Sequence, residues 1–276
     1  MSEPFYHRVG PAAFAPTRAT ESPWDQSLQH GGPPSALLLG EIERAVAGHG
    51  RITAAQIDFL GSIPRETGEV AVRTLRPGRR VRLDAATLTI GGRVVAEARC
   101  WTMATSQGAD KRVEHRASPL PAIPAAAPGP HFPSFPRAWH YPDAIEWRFV
   151  HGDSGQPGPA AVWTRVRVPV VEGETTTPLQ RLAVVADSAN GISSELALDR
   201  FLFVPTALQL SLHRHPVGDW ILLDARTSLS GDGIGTTVTG LHDESGTIGT
   251  ATQPLLVQPR EPAGHRQGTS AAAGGS

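Results

Sequence analysis

Among its 276 residues the chain has a single cysteine, Cys100. One thiol cannot build an intramolecular disulfide framework, and such scarcity fits a reducing compartment. Charge of one sign is equally lacking: 25 Lys and Arg against 26 Asp and Glu leave a formal net charge of −1. The basic residues are scattered, with only short clusters such as Arg79-Arg80. The basic stripe that would hold nucleic acid or an anionic membrane is therefore missing. No apolar run reaches the roughly 18 residues a membrane helix needs. The opening "MSEPFYHRVG" lacks the basic-then-apolar layout of a secretory signal. There is no Gly-x-Ser-x-Gly elbow for a serine-hydrolase triad and no glycine-rich loop of dinucleotide or P-loop spacing. What remains, at 39% hydrophobic, is the composition of a globular cytoplasmic protein with material for one large core or two ordinary ones.

Proline and glycine, in contrast, are abundant, at 25 and 29. Many fall in "SPLPAIPAAAPGPHFPSFPRAWHYPD" (118–143), which cannot hold a regular helix and reads as an extended linker. The tail 261–276 has no periodicity and reads as disordered. Two segments of similar length remain, 1–117 and 144–260, and their elements follow the same order.

In the first segment, "HGGPPSALLLGEIERAVAGHG" (30–50) predicts a helix entered through Gly-Gly-Pro-Pro and left through Gly. Four alternating, β-branched stretches follow, from "RITAAQIDFLGSI" to "RVVAEARCWTMA". The second segment opens with the strands "AIEWRFVHG" and "AAVWTRVRVPV". The helix "TPLQRLAVVADSANG" (177–191) comes next, with Thr177 as N-cap and Pro178 at the first helical position. Further strands run from "LFVPTALQLSLHRHP" to "GTIGTATQPLLVQPR". A helix beside several long antiparallel strands, twice over, indicates an α+β fold built by internal duplication.

The chemistry concentrates on one acid. Asp187 lies within the apolar run "RLAVVADSANG", and a lone buried carboxylate costs several kcal/mol unless it is paired or protonated. Such a group has a raised pKa, which suits a general base near neutrality. The plainer reading is an exposed acid, or one bonded near the helix end to Ser188 or Asn190. Gln253, in "TATQP", carries an amide that can orient water, although a Gln among Thr residues is more often on a solvated face. Gly31-Gly32 can offer free amides at a helix entry or serve only as a stiff turn. His30, immediately before them, is a candidate to touch the same site. His213 and His215 in "HRH" would share a strand face, but no acidic or Cys cluster completes a metal set, so no metal is expected. Asp84 and Asp224 take comparable strand positions in the two segments and read as paired structural or surface carboxylates. Cys100 reads as a small core residue.

A helix wrapped by antiparallel sheet and doubled in one chain is the hotdog arrangement. The sequence resembles the acyl-CoA thioesterase II family of double-hotdog thioesterases over about residues 20–260. "HGGPPSALLLGEIERA", "IDFLGSIPRETGEVAVRTLRPGRRV", "LAVVADSANG", "LSLHRHPVGDWILLDART" and "GTIGTATQPLLVQPR" carry the resemblance. It implies that a helix carboxylate, a hydroxyl or amide on the next strand and a Gln on the last strand converge on a water that attacks the thioester. Carried over, these are Asp187, Thr206 and Gln253. Counting back from "HRH" puts Pro205 at the middle position, with Thr206 one residue off, so that a β-bulge is needed to turn Thr206 inward. The acid common beside it is Ala207 here. Gly31 and Gly32 match the family's helix entry and, with His30 just before them, are candidates to bind substrate; hydrolysis is expected to be direct because no nucleophile is apparent, without a cofactor, on an acyl-CoA or acyl-carrier thioester. Monomer and homo-oligomer stay open. Chain length would depend on the helices and on the linker near Phe132 and Phe135. The alternatives are a catalytically impaired protein that binds acyl thioesters and a hydratase, which would need a His close to Asp187.

Overall fold

Helix α1 (Gly32–Ala45) starts at the Gly-Gly-Pro-Pro entry, with Gly31 as its N-cap. Proline's fixed φ suits a first turn whose N–H groups have no helical acceptors. Every residue from Gly32 to Leu39 is buried, so the helix runs through the core instead of lying on it. Helix α2 (Pro178–Ala186) is opened by a capping box: Gln180 N donates to Thr177 Oγ1 at 3.1 Å and Thr177 N donates to Gln180 Oε1 at 2.9 Å. The continuous helix expected over 177–191 is interrupted. The chain turns at Asp187-Ser188 and resumes for one turn as α3 (Ala189–Ile192).

The computed structural model describes residues 3–106, 119–126, 132, 139–153 and 155–260. The expected disordered tail 261–276 and Phe135 lie outside the described residues. The first half contributes β1 (Tyr6–Arg8), β2 (Ala13–Pro16), β3 (Arg51–Phe59), β4 (Gly68–Arg76), β5 (Val81–Ile90) and β6 (Arg93–Met103). The second contributes β7 (Ile145–His151), β8 (Ala160–Val166), β9 (Phe201–Pro205), β10 (Ala207–Leu212), β11 (Trp220–Leu229), β12 (Ile234–Asp243) and β13 (Gly246–Pro259). They join in one sheet of order β1-β2-β4-β5-β6-β3-β10-β13-β12-β11-β8-β7, with β9 added to β13. The seam between the halves is the antiparallel pair β3–β10, where Gln56 faces Gln209. The two long helices pack against each other beneath this sheet. This is the α+β double hotdog. No helix among the described residues is long and apolar enough to cross a membrane.

Some local expectations change. Strands β1 and β2, of three and four residues, are too short to show periodicity in sequence. They nevertheless tie the halves together, since Tyr6 N donates to Val170 O at 2.9 Å. Where it is described, the Pro-rich stretch runs extended across the second half, with Leu120 and Ile123 on Ala161, Trp163 and Leu222. Its end is core, because Trp139 and Tyr141 are buried. Strand β10 stops at Leu212, so "HRH" lies beyond the strand and its imidazoles do not share a strand face. Arg214 instead pairs with buried Asp243, and His215 Nε2 lies 2.8 Å from Ile52 O. No cluster of three or more metal-binding side chains occurs among the described residues. Asp84 and Asp224 are not equivalent: Asp84 is buried against Arg82 and Thr74, whereas Asp224 is exposed.

The Arg214–Asp243 pair holds the end of the seam strand. Burial pushes the Asp243 carboxyl up, but Arg214 and the amides of Val217 and Ser245 outweigh it and hold it below the usual range. Removing Arg214 strands a buried charge, so Arg214→Leu is expected to cost about 3–5 kcal/mol in urea unfolding. A loss below 1 kcal/mol, on the order of a surface pair, would show the pair to be dispensable.

Candidate active site

The break after α2 has an identifiable cause. In an uninterrupted helix Asn190 N would bond to Ala186 O and Gly191 N to Asp187 O. Instead, the Gln253 side chain from β13 enters the ladder. Its Oε1 accepts from Asn190 N at 3.2 Å, and its Nε2 donates to Asp187 O at 3.1 Å. A side chain inserted between helical turns ends the run, as it does at other helix kinks. The same Nε2 reaches Asp187 Oδ1 at 3.0 Å. Both amide hydrogens of Gln253 are thus directed at Asp187, and the residue is buried, not on a solvated face.

The second helix supplies the other side of the carboxylate. Helix α1 arrives with its N-terminus against Asp187, and the Gly31 and Gly32 amides beside the acid favour its charged form. The approach is too close for any side chain. A Cβ on Gly31 would stand 2.7 Å from Asp187 Oδ2 and 2.7 Å from Phe59 Cζ. One on Gly32 would stand 2.1 Å from Val184 O. The glycines are therefore required by contact, not merely by the turn. Their amides are not free donors, as the sequence suggested, because they serve the site's own groups: Gly32 N also donates to His30 Nδ1 at 3.1 Å.

His30 completes the arrangement. Its Nδ1 lies 3.3 Å from Asp187 Oδ2, and its ring stacks on Tyr141 with centroids 4.1 Å apart. Tyr141 is held in turn, its hydroxyl donating to Val184 O at 2.7 Å and lying 2.9 Å from Ser188 Oγ. Burial pushes the Asp187 carboxyl up to about 7, against the downward pull of Gln253 and the two glycine amides. Burial also lowers His30 to about 3, so the imidazole is neutral. With Nδ1 accepting from Gly32, the neutral ring carries its proton on Nε2. That nitrogen has no hydrogen-bond partner among the described residues.

Asp187, His30 and Gly31 line one wall of a cavity of about 400 Å³. Its other walls are mainly apolar, with Trp24, Phe59, Phe132, Trp139, Leu202 and Phe203 among them. Thr206 lines it as well. Pro205 faces Leu255 while Gln209 faces Thr252, so Thr206, Ala207 and Leu208 stand opposite only Gln253 and Pro254. This one-residue excess is a β-bulge of the kind the Pro205 offset called for. The Thr206 hydroxyl has no hydrogen-bond partner among the described residues, its backbone alone being engaged by Pro254 and Phe59. Gln209 is exposed and accepts from Thr252, away from the site. His213 is not part of the cavity wall, and the histidine next to Asp187 comes from the other half of the chain.

Tyr141, Asn190 and Phe59 were not marked by sequence as parts of the site. The only signal for Tyr141 was an aromatic cluster, "AWHY", at the end of a stretch otherwise unable to fold regularly. The halves also differ at matching places. About the Gln56–Gln209 seam, Arg99 corresponds to Thr252 and Cys100 to Gln253. Counting equally from Pro34 and Pro178, Glu43 corresponds to Asp187. The Thr177 hydroxyl closes on Glu43 Oε2 at 2.5 Å, and Cys100 is a buried thiol with no amide to offer. Among the described residues, of these two acids only Asp187 has both an amide side chain on it and a mainly apolar cavity beside it.

Known proteins give a consistent picture. The family model for the acyl-CoA thioesterase N-terminal domain matches residues 20–103, and that for the acyl-CoA thioesterase C-terminal domain matches residues 118–257. Among solved structures, an acyl-CoA thioesterase II from Mycobacterium marinum is 17% identical, with TM-score 0.66 over 94% of this chain and 97% of that one. A TesB protein from Mycobacterium avium subsp. paratuberculosis is 17% identical, with TM-score 0.66 over 92% and 96%. A hot dog fold protein of unknown function from Alicyclobacillus acidocaldarius is 15% identical, with TM-score 0.69 over 93% and 96%. No curated protein matches the chain.

A raised Asp187 pKa has a consequence for stability. Between the unfolded carboxyl's usual range and about 7, the folded protein keeps a proton that the unfolded chain has released, so stability falls as pH rises through that window. His30 acts oppositely, its stability contribution being lost as pH falls below the usual imidazole range. Comparing Asp187→Asn with wild type cancels the histidine to first order. The variant is expected to gain a few kcal/mol relative to wild type above pH 7, at about 1.4 kcal/mol for each tenfold difference in proton affinity between folded and unfolded chains, and nothing below pH 4. Thermal melts across this range check it, and a difference independent of pH would refute a carboxyl that is neutral when folded. Gly31→Ala, in the same melts, is expected to destabilise at every pH.

Proposed function

The chain belongs to the acyl-CoA thioesterase family and is a thioester hydrolase, and we propose that Asp187 activates the water that cleaves the thioester. One observation carries this reading. Asp187 is buried on the wall of an apolar cavity, with Oδ1 held by Gln253 and Oδ2 left beside His30 for a cavity water. A carboxyl that titrates near 7 is matched to removing a proton from water at neutral pH.

The acyl chain lies among the aromatic side chains of the cavity and its carbonyl beside His30. Asp187 takes a proton from water as the water oxygen bonds to the carbonyl carbon. The oxyanion that forms accepts from the neutral Nε2–H of His30, a donor already in place before charge develops. The carbon–sulfur bond then breaks, and Asp187 returns its proton to the leaving thiolate. The new carboxylic acid loses its remaining proton to solvent. No side chain forms a bond to the acyl group. Thr206, a lining residue of the cavity, steadies the water in this reading. Gln253 contributes as a positioning residue, because both of its hydrogens are engaged on Asp187. Residues 1–117 and 144–260 form the two hotdog units joined by 118–143, and the free thiol at Cys100 fits a cytoplasmic location.

The test is thiol release from acyl-CoAs of increasing length, with folding followed by circular dichroism. Asp187→Ala is expected to lose about 10²–10⁴ of kcat, and wild-type kcat/KM to rise with pH through about 7. His30→Gln is expected to lower kcat by about 10²–10³ with little change in the apparent pKa. Turnover that survives in folded Asp187→Ala would overturn the assignment.

A further inference from the structure

We infer that Arg65, Arg93 and Arg260 form an anion-binding rim around the cavity mouth that holds the phosphates of the coenzyme A nucleotide. The inference rests on the thioesterase reading, because it names what lies outside the cavity when an acyl chain lies inside. Each arginine is attached to a different part of the cavity wall. Arg93 opens β6 and is exposed, and its Nη2 lies 3.7 Å from the position a Cβ on Gly61 would take. Gly61 itself lines the cavity. Arg260 lies over the ring of Trp24, another lining residue, with Cζ 5.5 Å from the centroid. Arg65 donates from Nε to Gln26 O at 2.9 Å, within the short loop that carries Trp24 and Leu28 to the wall.

What sets these three apart is their place on the cavity wall. Several arginines of the chain pair with carboxylates, among them Arg8, Arg44, Arg82, Arg148, Arg165, Arg167 and Arg214, and others, such as Arg226, do not among the described residues. None of Arg65, Arg93 and Arg260 has an ion-pair partner among the described residues. Guanidinium groups match phosphate oxygens with paired donors, and a ring of unneutralised ones beside a binding cavity is an arrangement for a polyanion. Three arginines at one opening fit a small, highly charged group, and the nucleotide of coenzyme A is one.

The experiment compares one acyl group on coenzyme A, on 3′-dephospho-coenzyme A, on N-acetylcysteamine and on an acyl carrier protein. Arg93→Glu, Arg260→Glu and the double variant are assayed beside Arg226→Glu, a charge-matched control on β11. Arg93→Glu is expected to raise KM for acyl-coenzyme A about tenfold more than KM for the N-acetylcysteamine thioester. The double variant should widen this gap, the dephospho substrate should give an intermediate value, and added salt should weaken the coenzyme A preference alone. Equal effects on all four substrates, or an equal effect from Arg226→Glu, would overturn the rim. A change confined to the carrier-protein substrate would overturn the nucleotide as its ligand. If wild type hydrolyses none of these substrates, the hydrolytic reading fails separately. Titration of free coenzyme A against pantetheine into wild type and Arg93→Glu then decides the rim by itself.

Discussion

The meeting of the α1 N-terminus with the Asp187 carboxylate is the contact on which the centre of this protein depends. A carboxylate in an apolar core is tolerated only if donors surround it. The chain collects them from two places, the glycine amides at the head of α1 and a glutamine amide from β13, while the histidine that precedes α1 stands beside the acid as an acceptor from Gly32. Each donor imposes a constraint. The amides can arrive only if residues 31 and 32 have no side chain. The glutamine can reach the acid only by breaking the helix that bears it. Opposing influences leave the acid poised, since burial alone would push the proton affinity up and the donors pull it back.

How much of this was legible in sequence depends on the range of the interaction. Helix α1 and strands β3 to β8 followed from local signals, because alternation, Pro-Gly turns and a proline entry act within a few residues. Asp187 was conspicuous for a local reason too, as an acid among Leu, Ala and Val. The break beside it was not, since nothing in "VVADSANG" tells that a glutamine 66 positions later will take over two backbone bonds. The Asp187–His30 contact crosses between halves, and no periodicity reports such a meeting. The bulge at Thr206 fell between: the Pro205 offset asked for an irregularity, and only strand registers could supply it. The glycines show the limit well. Their presence at a helix entry was evident, but the carbonyl at 2.1 Å that makes one of them obligatory belongs to a helix about 150 residues away.

The seam between the halves does more than close the sheet. It sets α1 and α2 side by side, so each helix presents its N-terminus to an acid on the other: Gly31 to Asp187, and Thr177 to Glu43. The same geometry leads to different chemistry. At Glu43 a hydroxyl closes directly on the carboxylate and the strand opposite provides a thiol, which suits a helix cap. At Asp187 backbone amides, a glutamine and a neutral imidazole approach, leaving one face of the acid on the cavity.

Two identical subunits forming this sheet would be bound by their symmetry. A glutamic acid chosen to lock one helix would appear at the reacting position too, and every gain at one would be a loss at the other. A single chain that encodes both positions separately is released from that bind. Its two halves also stay associated at any dilution, so the acid proposed to activate water never waits for a partner to arrive. Joining the halves thus permits a division of labour, with one acid given over to architecture and the other left open to a cavity.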